Sequence, residues 1–254
     1  MDNKYYLDFI KQSDFENLVL DVLKEYESSL NSIDLKTFNS NLIDPIKLLF
    51  DKYAFNKSYE EIINYEIHRQ RDKSNSNSIG YFHQNIFKFI KNCEVPKEGW
   101  DIIFKDFNKT YYIELKNKHN TMNSSSSAKT YMRMQNHLLN SKDKDSSICA
   151  LVEIIAIKSQ NIPWIITLDK IKQQSNESLR RISIDKFYEI VTGDKIAFLK
   201  LCKQLPITIE KLVTKKIKYE KDTVLDELKA KNKDILIALY KLAFATYEGF
   251  EKLD

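Results

Sequence analysis

Two acidic residues and a lysine lie close together in the sequence and could form a metal site. Asp101 is followed thirteen residues later by Glu114, and Lys116 comes two residues after that. Two carboxylates a few ångströms apart repel each other unless a proton or a cation lies between them. Oxygen ligands with open positions suit Mg²⁺, which keeps several waters and accepts phosphate oxygens. A lysine beside such a pair can orient a water and help deprotonate it for in-line attack on a phosphodiester.

The residues around this group predict a β-hairpin that brings it together. Residues 100–104 and 111–115 are rich in β-branched and aromatic side chains, and a short, mostly polar segment separates them. Side chains alternate between the two faces of a strand, so Glu114 and Lys116 share one face while Leu115 points to the core. Asp101 begins the partner strand, from which its carboxylate can approach Glu114.

The tripeptide Asp/Glu-x-Lys is not specific by itself. It starts at four positions in the chain, which are Asp2, Asp34, Glu114 and Glu227. Of these, only Glu114 lies on a predicted strand with an acidic residue at the start of the partner strand. A surface hairpin whose polar face is held by salt bridges would account for the same residues, so the pattern alone leaves both interpretations open.

The segment after Lys116 is rich in donors for phosphate oxygens and base edges. It continues as a polar loop to about residue 127, and the next helix is expected to add its own N-terminal affinity for anions. A flexible polar loop without a ligand is the alternative. The residues that we expect to contact DNA are Lys118, His119, Asn120, Asn123, Ser124, Ser125 and Arg133.

The remaining pattern predicts an α/β protein with helical regions at both ends. Capping boxes at Ser13–Glu16 and Ser58–Glu61 and a proline at position 45 predict helix starts, and the polar residues 72–78 predict a break before a helix at 80–90. The apolar residues 148–157 predict a strand covered on both faces, and a second strand follows at 162–168. From Ser183 onward the chain is expected to be mainly helical, ending in one long helix over 223–250.

Composition excludes several functional classes. The 254 residues contain only four glycines, which are too scattered for a P-loop or a GxGxxG turn. Three widely spaced cysteines predict neither a disulfide framework nor a zinc site, and they favour reduced thiols in the cytoplasm. No segment has the ~20 apolar residues that a membrane span requires, so no membrane association is expected. The net charge of +4 is compatible with a nucleic-acid ligand but is not diagnostic.

The extended motif resembles a known nuclease family. Asp101 followed by Glu114-x-Lys116 resembles the PD-(D/E)XK signature, with Trp100 where the signature often has proline. The longer string GWD…YIELKNKHNTMNSSSSAKTYMRMQ, with the preceding SNSIGYFHQNIFKFI, is similar to type II restriction endonucleases of the group that cleaves GGNCC. The resemblance is sharp over residues 74–135 and diffuse elsewhere.

The resemblance implies a restriction-endonuclease-like core, with a central mixed β-sheet flanked by helices. It would be one domain over residues 1–254, with a helical region at 1–73, the nuclease core at about 74–182 and a second helical region at 183–254. It implies that Asp101 and Glu114 bind Mg²⁺ and that Lys116 positions the attacking water. A further active-site residue is expected from the first core helix, for which Glu66 and Gln84 are both candidates.

The same resemblance implies a homodimer that cuts both strands of a short palindrome in double-stranded DNA. A cognate DNA methyltransferase would protect the host DNA, without being a stable subunit. Two other hypotheses stay open from the sequence. The chain could be a PD-(D/E)XK nuclease for DNA repair or branched DNA, or a non-catalytic DNA-binding protein whose hairpin charges are structural.

Overall fold

The computed structural model describes residues 4–168, 170–213 and 220–247. The helices are α1 (Gln12–Ser29), α2 (Leu35–Phe38), α3 (Pro45–Ala54), α4 (Tyr59–Asn85), α5 (Ser124–Asn140), α6 (Ile184–Thr192), α7 (Ala197–Leu212), α8 (Val224–Lys231) and α9 (Ile235–Ala243). The strands are β1 (Cys93–Glu94), β2 (Ile102–Lys105), β3 (Thr110–Lys118), β4 (Ser147–Ile155), β5 (Asn161–Pro163), β6 (Thr167–Leu168), β7 (Ile171–Lys172) and β8 (Leu179–Ser183). Within these described ranges, no helix is both long enough and apolar enough to cross a membrane.

The chain divides into two compact units. The first consists of Met1–Val22 and Ile79–Thr214, and the second of Leu23–Ser78 and Lys215–Asp254. The first unit contains a six-stranded mixed sheet in the order β1-β2-β3-β4-β8-β5. The expected α/β class, with a mixed sheet and helical regions at both ends, is therefore confirmed.

The predicted hairpin and the predicted buried strand are both present in the sheet. Strands β2 and β3 are antiparallel, with Ile102 opposite Ile113 and Lys105 opposite Thr110. Strand β4 is parallel to both β3 and β8, and its first seven residues are buried. Parallel strands in the middle of a sheet are covered on both faces, which explains the continuous apolar run of β4.

Helix α5 covers the sheet face on which Glu114 and Lys116 lie. Its buried Tyr131 and Met134 pack in one cluster with Cys149 and Leu151 of β4. In the parallel pair β3–β4, Glu114 is in register with Leu151 and Lys116 with Glu153. Because residues in register share a face, these four side chains lie on the side of the sheet that α5 packs against.

Two of the predicted helix starts are confirmed and one is displaced. Ser58 and Glu61 form the reciprocal capping box, with Ser58 N donating to Glu61 Oε2 over 2.9 Å and Glu61 N to Ser58 Oγ over 3.2 Å. Pro45 is the first residue of α3. Helix α1, in contrast, begins at Gln12, so Ser13 lies within its first turn and is not its cap.

The predicted break at residues 72–78 is wrong, because α4 continues through it. Serine and asparagine favour turns over helix interiors, but this tendency is weak and tertiary packing overrides it. The buried Ile63 and Ile67 precede the polar residues and the buried Phe82 follows them, so both ends of α4 are held by packing.

The predicted long C-terminal helix is two helices where the structure describes it. Helix α8 ends at Lys231, and Asp234 caps α9 by accepting a hydrogen bond from Leu236 N over 2.8 Å. The end of the prediction, residues 248–250, lies outside the described residues. The strand predicted at 162–168 is likewise divided, between β5 and β6.

A buried ion pair joins distant parts of the second unit. The Arg71 guanidinium donates to both carboxylate oxygens of Asp222, over 2.7 and 3.0 Å, and to the backbone oxygens of Ser29 and Asn31. Its side chain is 6% exposed and that of Asp222 is 12% exposed. Removing one partner of such a pair leaves a buried charge without compensation.

We expect the substitution Arg71→Met to destabilise the second unit by about 3–5 kcal/mol, because it isolates the Asp222 carboxylate. Urea denaturation followed by circular dichroism measures this loss. The matched control is Lys47→Met, which removes an exposed pair with Asp51 and should cost less than about 1 kcal/mol. Equal losses in the two variants would contradict a stabilising role for the buried pair.

Candidate active site

The hairpin register holds the carboxylate of Asp101 against strand β3. The backbone N–H of Asp101 donates to the Ile113 carbonyl over 3.0 Å, and Leu115 N donates to Asp101 Oδ2 over 2.7 Å. The preceding Gly99 has φ +93°, a left-handed conformation that side chains disfavour. Leu115 lies between Glu114 and Lys116 in sequence, so the structure brings Asp101 to the two residues with which it was predicted to act.

The carboxylate of Glu114 lies between two cations. Lys116 Nζ donates to Glu114 Oε1 over 2.6 Å, and Arg133 of α5 donates to Glu114 Oε2. The Glu114 side chain is 15% exposed and that of Lys116 is 30% exposed. This arrangement keeps one acidic and one basic side chain of β3 partly accessible beneath α5.

Burial and the neighbouring negative charge shift the titration of Asp101. Burial raises the pKa of the Asp101 carboxyl, and the charge of Glu114 raises it further. The hydrogen bond from Leu115 N and the charges of Lys116 and Arg133 oppose this shift without cancelling it. A cation placed between the two carboxylates would relieve the repulsion that contributes to the raised pKa.

The two carboxylates fit a hard divalent cation. Mg²⁺ is commonly bound through one or two carboxylates while it keeps several waters. Among the described residues, no cluster of three or more histidine, cysteine, aspartate or glutamate side chains could hold a metal. A two-carboxylate set suits Mg²⁺ better than zinc, which prefers four nitrogen or sulfur ligands in a closed site.

The two candidates for an additional active-site residue have different hydrogen-bond partners. Gln84 Nε2 donates to the backbone oxygen of Asp101 over 3.0 Å, so Gln84 lies next to the hairpin. Glu66 belongs to the second unit, where it pairs with Arg69 and Gln70 of its own helix. Of the two, it is Gln84 that contacts a residue of the candidate site.

A second charged cluster lies next to Lys116 and was missed in the sequence. The Glu153 side chain is 2% exposed, and Arg181 Nε donates to its Oε2 over 3.0 Å. Nδ1 of His119 lies 3.2 Å from Glu153 Oε1 and 2.5 Å from Nη2 of Arg181. The sequence contains one signal for this cluster. Glu153 is the only charged residue of β4, and a buried charge requires partners.

The predicted DNA-contacting residues occupy several environments. Lys118 and Asn120 are exposed at the end of β3, and with Lys116, Glu153 and Arg181 they line a cavity of about 50 Å³. The His119 side chain, only 21% exposed, turns inward to the buried cluster.

The serines predicted to continue the loop begin α5 instead. Asn123 caps this helix by accepting a hydrogen bond from Ser126 N over 2.8 Å, and Ser124 and Ser125 are exposed in its first turn. The guanidinium of Arg133 forms an ion pair with the Glu114 carboxylate, and its carbon is 4.5 Å from the centre of the Trp100 ring. Exposed donors therefore surround the helix start, while Arg133 lies in the candidate site.

Comparison with known proteins places the chain in a family. The sequence model of the Eco47II restriction endonuclease family matches residues 7–214. The type II restriction enzyme Sau96I of Staphylococcus aureus is 33% identical over 218 residues, which is 83% of this chain and 82% of that protein. The type II restriction enzyme Eco47II of Escherichia coli is 28% identical over 243 residues, or 94% and 98% of the two chains.

The match to the family model covers the hairpin, α5 and the whole six-stranded sheet. The expectation of a restriction endonuclease is therefore confirmed at the level of the family. Enzymes of this type act on DNA and generally need a divalent metal ion. The chain belongs to the Eco47II family of type II restriction endonucleases, which are site-specific deoxyribonucleases.

Proposed function

We propose that this enzyme hydrolyses phosphodiester bonds in double-stranded DNA at the short palindrome GGNCC and so restricts foreign DNA. The observation that carries the proposal is the hydrogen bond that holds the Asp101 carboxylate beside Glu114 and Lys116. The target sequence rests on the resemblance of residues 99–135 to the group that cleaves GGNCC. Membership in the restriction endonuclease family favours this hypothesis over a repair nuclease or a non-catalytic binding protein.

In the proposed site, Asp101 and Glu114 hold Mg²⁺. When bound, the ion neutralises charge on the phosphate and makes a water more acidic. Lys116 would orient the attacking water and, through the positive charge of its ammonium group, would favour release of that water's proton to solvent. Gln84 holds the Asp101 backbone in place, and the exposed Lys118, Asn120, Asn123, Ser124 and Ser125 bind the DNA, whereas His119 turns away to the buried cluster.

A palindromic target requires two equivalent active sites related by a two-fold axis. We therefore propose that the enzyme acts as a homodimer in which each protomer cuts one strand and leaves a 5′-phosphate and a 3′-hydroxyl. A separate methyltransferase of matching specificity would protect the host DNA without forming a stable complex.

Digestion of a sequenced plasmid with purified protein and Mg²⁺, followed by mapping of every fragment end, tests the proposal. The expected result is a discrete set of fragments that all end within GGNCC. Fragments that end at another palindrome would show that the proposed target sequence is wrong. Cutting only at branched or damaged DNA would support a repair nuclease. An intact plasmid across divalent metals and salt concentrations would overturn the proposal.

We expect Glu114→Gln to reduce cleavage by about 10³-fold or more while the protein still folds and binds DNA, because the variant loses a metal ligand. Single-turnover cleavage and a gel-shift assay measure the two properties. Glu94→Gln is the matched control, since Glu94 is an exposed acidic residue on strand β1 of the same sheet. If Glu114→Gln cleaves DNA at nearly the same rate as Glu94→Gln, Glu114 is not needed for cleavage.

We expect Asp101→Asn to raise the unfolding temperature of the metal-free protein by a few degrees at neutral pH, although it abolishes cleavage. The pKa of Asp101 is raised on folding, so ionisation of this carboxyl destabilises the folded protein as the pH rises through that pKa. The asparagine oxygen can still accept the hydrogen bond from Leu115 N. Thermal unfolding in EDTA at several pH values measures the difference.

The advantage of Asp101→Asn should disappear as the pH falls below the pKa of Asp101, where the wild-type carboxyl is also neutral. A variant that is less stable than the wild type at neutral pH would contradict the raised pKa.

We expect Lys118→Gln to weaken DNA binding and to reduce the slope of log Kd against log salt by about 1, because Lys118 is proposed to contact one phosphate. Fluorescence anisotropy with a labelled duplex at several salt concentrations measures both effects. Lys105→Gln is the control, since Lys105 is an exposed lysine at the end of the neighbouring strand β2. An unchanged slope for Lys118→Gln would exclude the phosphate contact.

A further inference from the structure

Arg133 is a positioned cation inside the candidate active site. Its neighbours Tyr131 and Met134 are fully buried, which fixes the face of α5 that packs on the sheet. The guanidinium lies over the Trp100 ring, with its carbon 4.5 Å from the ring centre. It also donates to Glu114 Oε2 and, over 3.4 Å, to the Gly99 carbonyl. Nothing in the hairpin motif requires an arginine at this place.

The contacts of Glu114 place Arg133 in competition with the metal ion. One carboxylate oxygen of Glu114 bonds to Lys116 and the other to Arg133. With Asp101 ionised, the two carboxylates and the two cations sum to zero charge. Mg²⁺ held by Glu114 would bind the same carboxylate oxygens, and its positive charge would repel both of these cations.

Arg133 is the better placed of the two to change partners. Its side chain is 44% exposed, compared with 30% for Lys116. A guanidinium presents a planar fork of donors that matches phosphate oxygens as well as carboxylate oxygens. The Trp100 ring supports the guanidinium by a cation–π contact, which does not depend on which anion the donors reach.

We propose that Arg133 is a further catalytic residue, which neutralises Glu114 in the metal-free enzyme and transfers to the phosphate of the scissile bond when Mg²⁺ and DNA bind. The proposal rests on the proposed function of Asp101 and Glu114 as metal ligands. It gives Arg133 two anionic partners in turn, with the transfer driven by the positive charge of Mg²⁺ at Glu114.

This exchange makes metal binding and DNA binding cooperative. Without DNA, Mg²⁺ displaces Arg133 from Glu114 and leaves the guanidinium with no anionic partner. With DNA, the phosphate supplies that partner, so each ligand increases the affinity for the other by the same factor. Removing the guanidinium should therefore favour Mg²⁺ binding to the free enzyme and disfavour catalysis.

The test compares Arg133→Gln with two other variants of α5. Lys129→Gln removes one positive charge from an exposed position one helical turn away. Arg133→Lys keeps the charge but loses the forked geometry. Isothermal titration calorimetry with Mg²⁺ alone measures metal affinity, and steady-state cleavage separates kcat from KM.

For Arg133→Gln, we expect Mg²⁺ to bind the DNA-free enzyme about five- to tenfold more tightly, because a positive charge near the ion is removed. We also expect kcat to fall by about 10- to 100-fold, because a donor to the phosphate is lost. Lys129→Gln should match the wild type in both measurements. Arg133→Lys should keep the wild-type Mg²⁺ affinity and lose kcat.

A spectroscopic measurement follows the guanidinium itself. The chain has two tryptophans, so the substitution Trp164→Phe leaves Trp100 as the only one. Release of the guanidinium from Glu114 should shift it over the Trp100 ring, so titration with Mg²⁺ should change the Trp100 emission more when Arg133 is present than in the Arg133→Gln variant. An equal change in both proteins would contradict the transfer.

Each result has a defined meaning. If Arg133→Gln weakens Mg²⁺ binding together with cleavage, Arg133 only supports the structure of the site and the exchange is overturned. If Arg133→Gln behaves like Lys129→Gln while Glu114→Gln abolishes cleavage, the proposed function holds and the Arg133 proposal fails. If Glu114→Gln leaves cleavage and Mg²⁺ binding intact, the proposed function itself fails.

Discussion

The register of one β-hairpin determines whether this enzyme can have a metal site. Asp101 donates its N–H to Ile113 and accepts a hydrogen bond from Leu115 at its carboxylate, so both contacts are with strand β3. Side chains alternate along a strand, and a slip by one residue would turn Glu114 to the opposite face of the sheet. The proposed chemistry depends on this pairing, because two carboxylates bind one ion only if the backbone holds them together against their repulsion.

Ion pairs stabilise the charged side chains that lie beneath α5. The face of the sheet that α5 covers is mainly apolar, with Tyr131, Met134 and Leu151 packed together. The carboxylates of Glu114 and Glu153 on this face both have basic partners, which are Lys116 and Arg133 for Glu114 and Arg181 for Glu153. Because an uncompensated charge in this layer would be costly, the charges on this face are arranged in pairs and clusters.

Local sequence patterns predicted the parts of the fold that local physics controls. The alternation at Glu114 and Lys116 predicted their common face, the Ser58–Glu61 spacing predicted a helix start, and the apolar run at 148–157 predicted a buried strand. The prediction failed where distant packing decides the outcome. Residues 72–78 stay helical because buried residues hold α4 at both ends. The break before α9 has a local cause instead, because Asp234 caps a new helix where the apolar pattern continues.

The candidate site was only partly predictable for the same reason. Asp101, Glu114 and Lys116 belong to one hairpin, so spacing along the strands was enough to bring them together. The contact of Arg133 with Glu114 joins a helix to a strand, and the cluster of Glu153 and Arg181 joins two parallel strands. Contacts of this kind depend on the tertiary arrangement, and a single sequence does not carry a periodic signal for them.

We propose that Asp101 and Glu114 bind the same Mg²⁺ ion. Calorimetric Mg²⁺ titration of the wild type, Asp101→Asn, Glu114→Gln and the double variant tests this claim directly, in the absence of DNA so that cleavage contributes no heat. If the two residues share one ion, each single substitution should remove most of the binding, and the double variant should be little worse than either single variant. Losses of binding free energy that simply add in the double variant, or Mg²⁺ binding that persists in both single variants, would contradict the shared site.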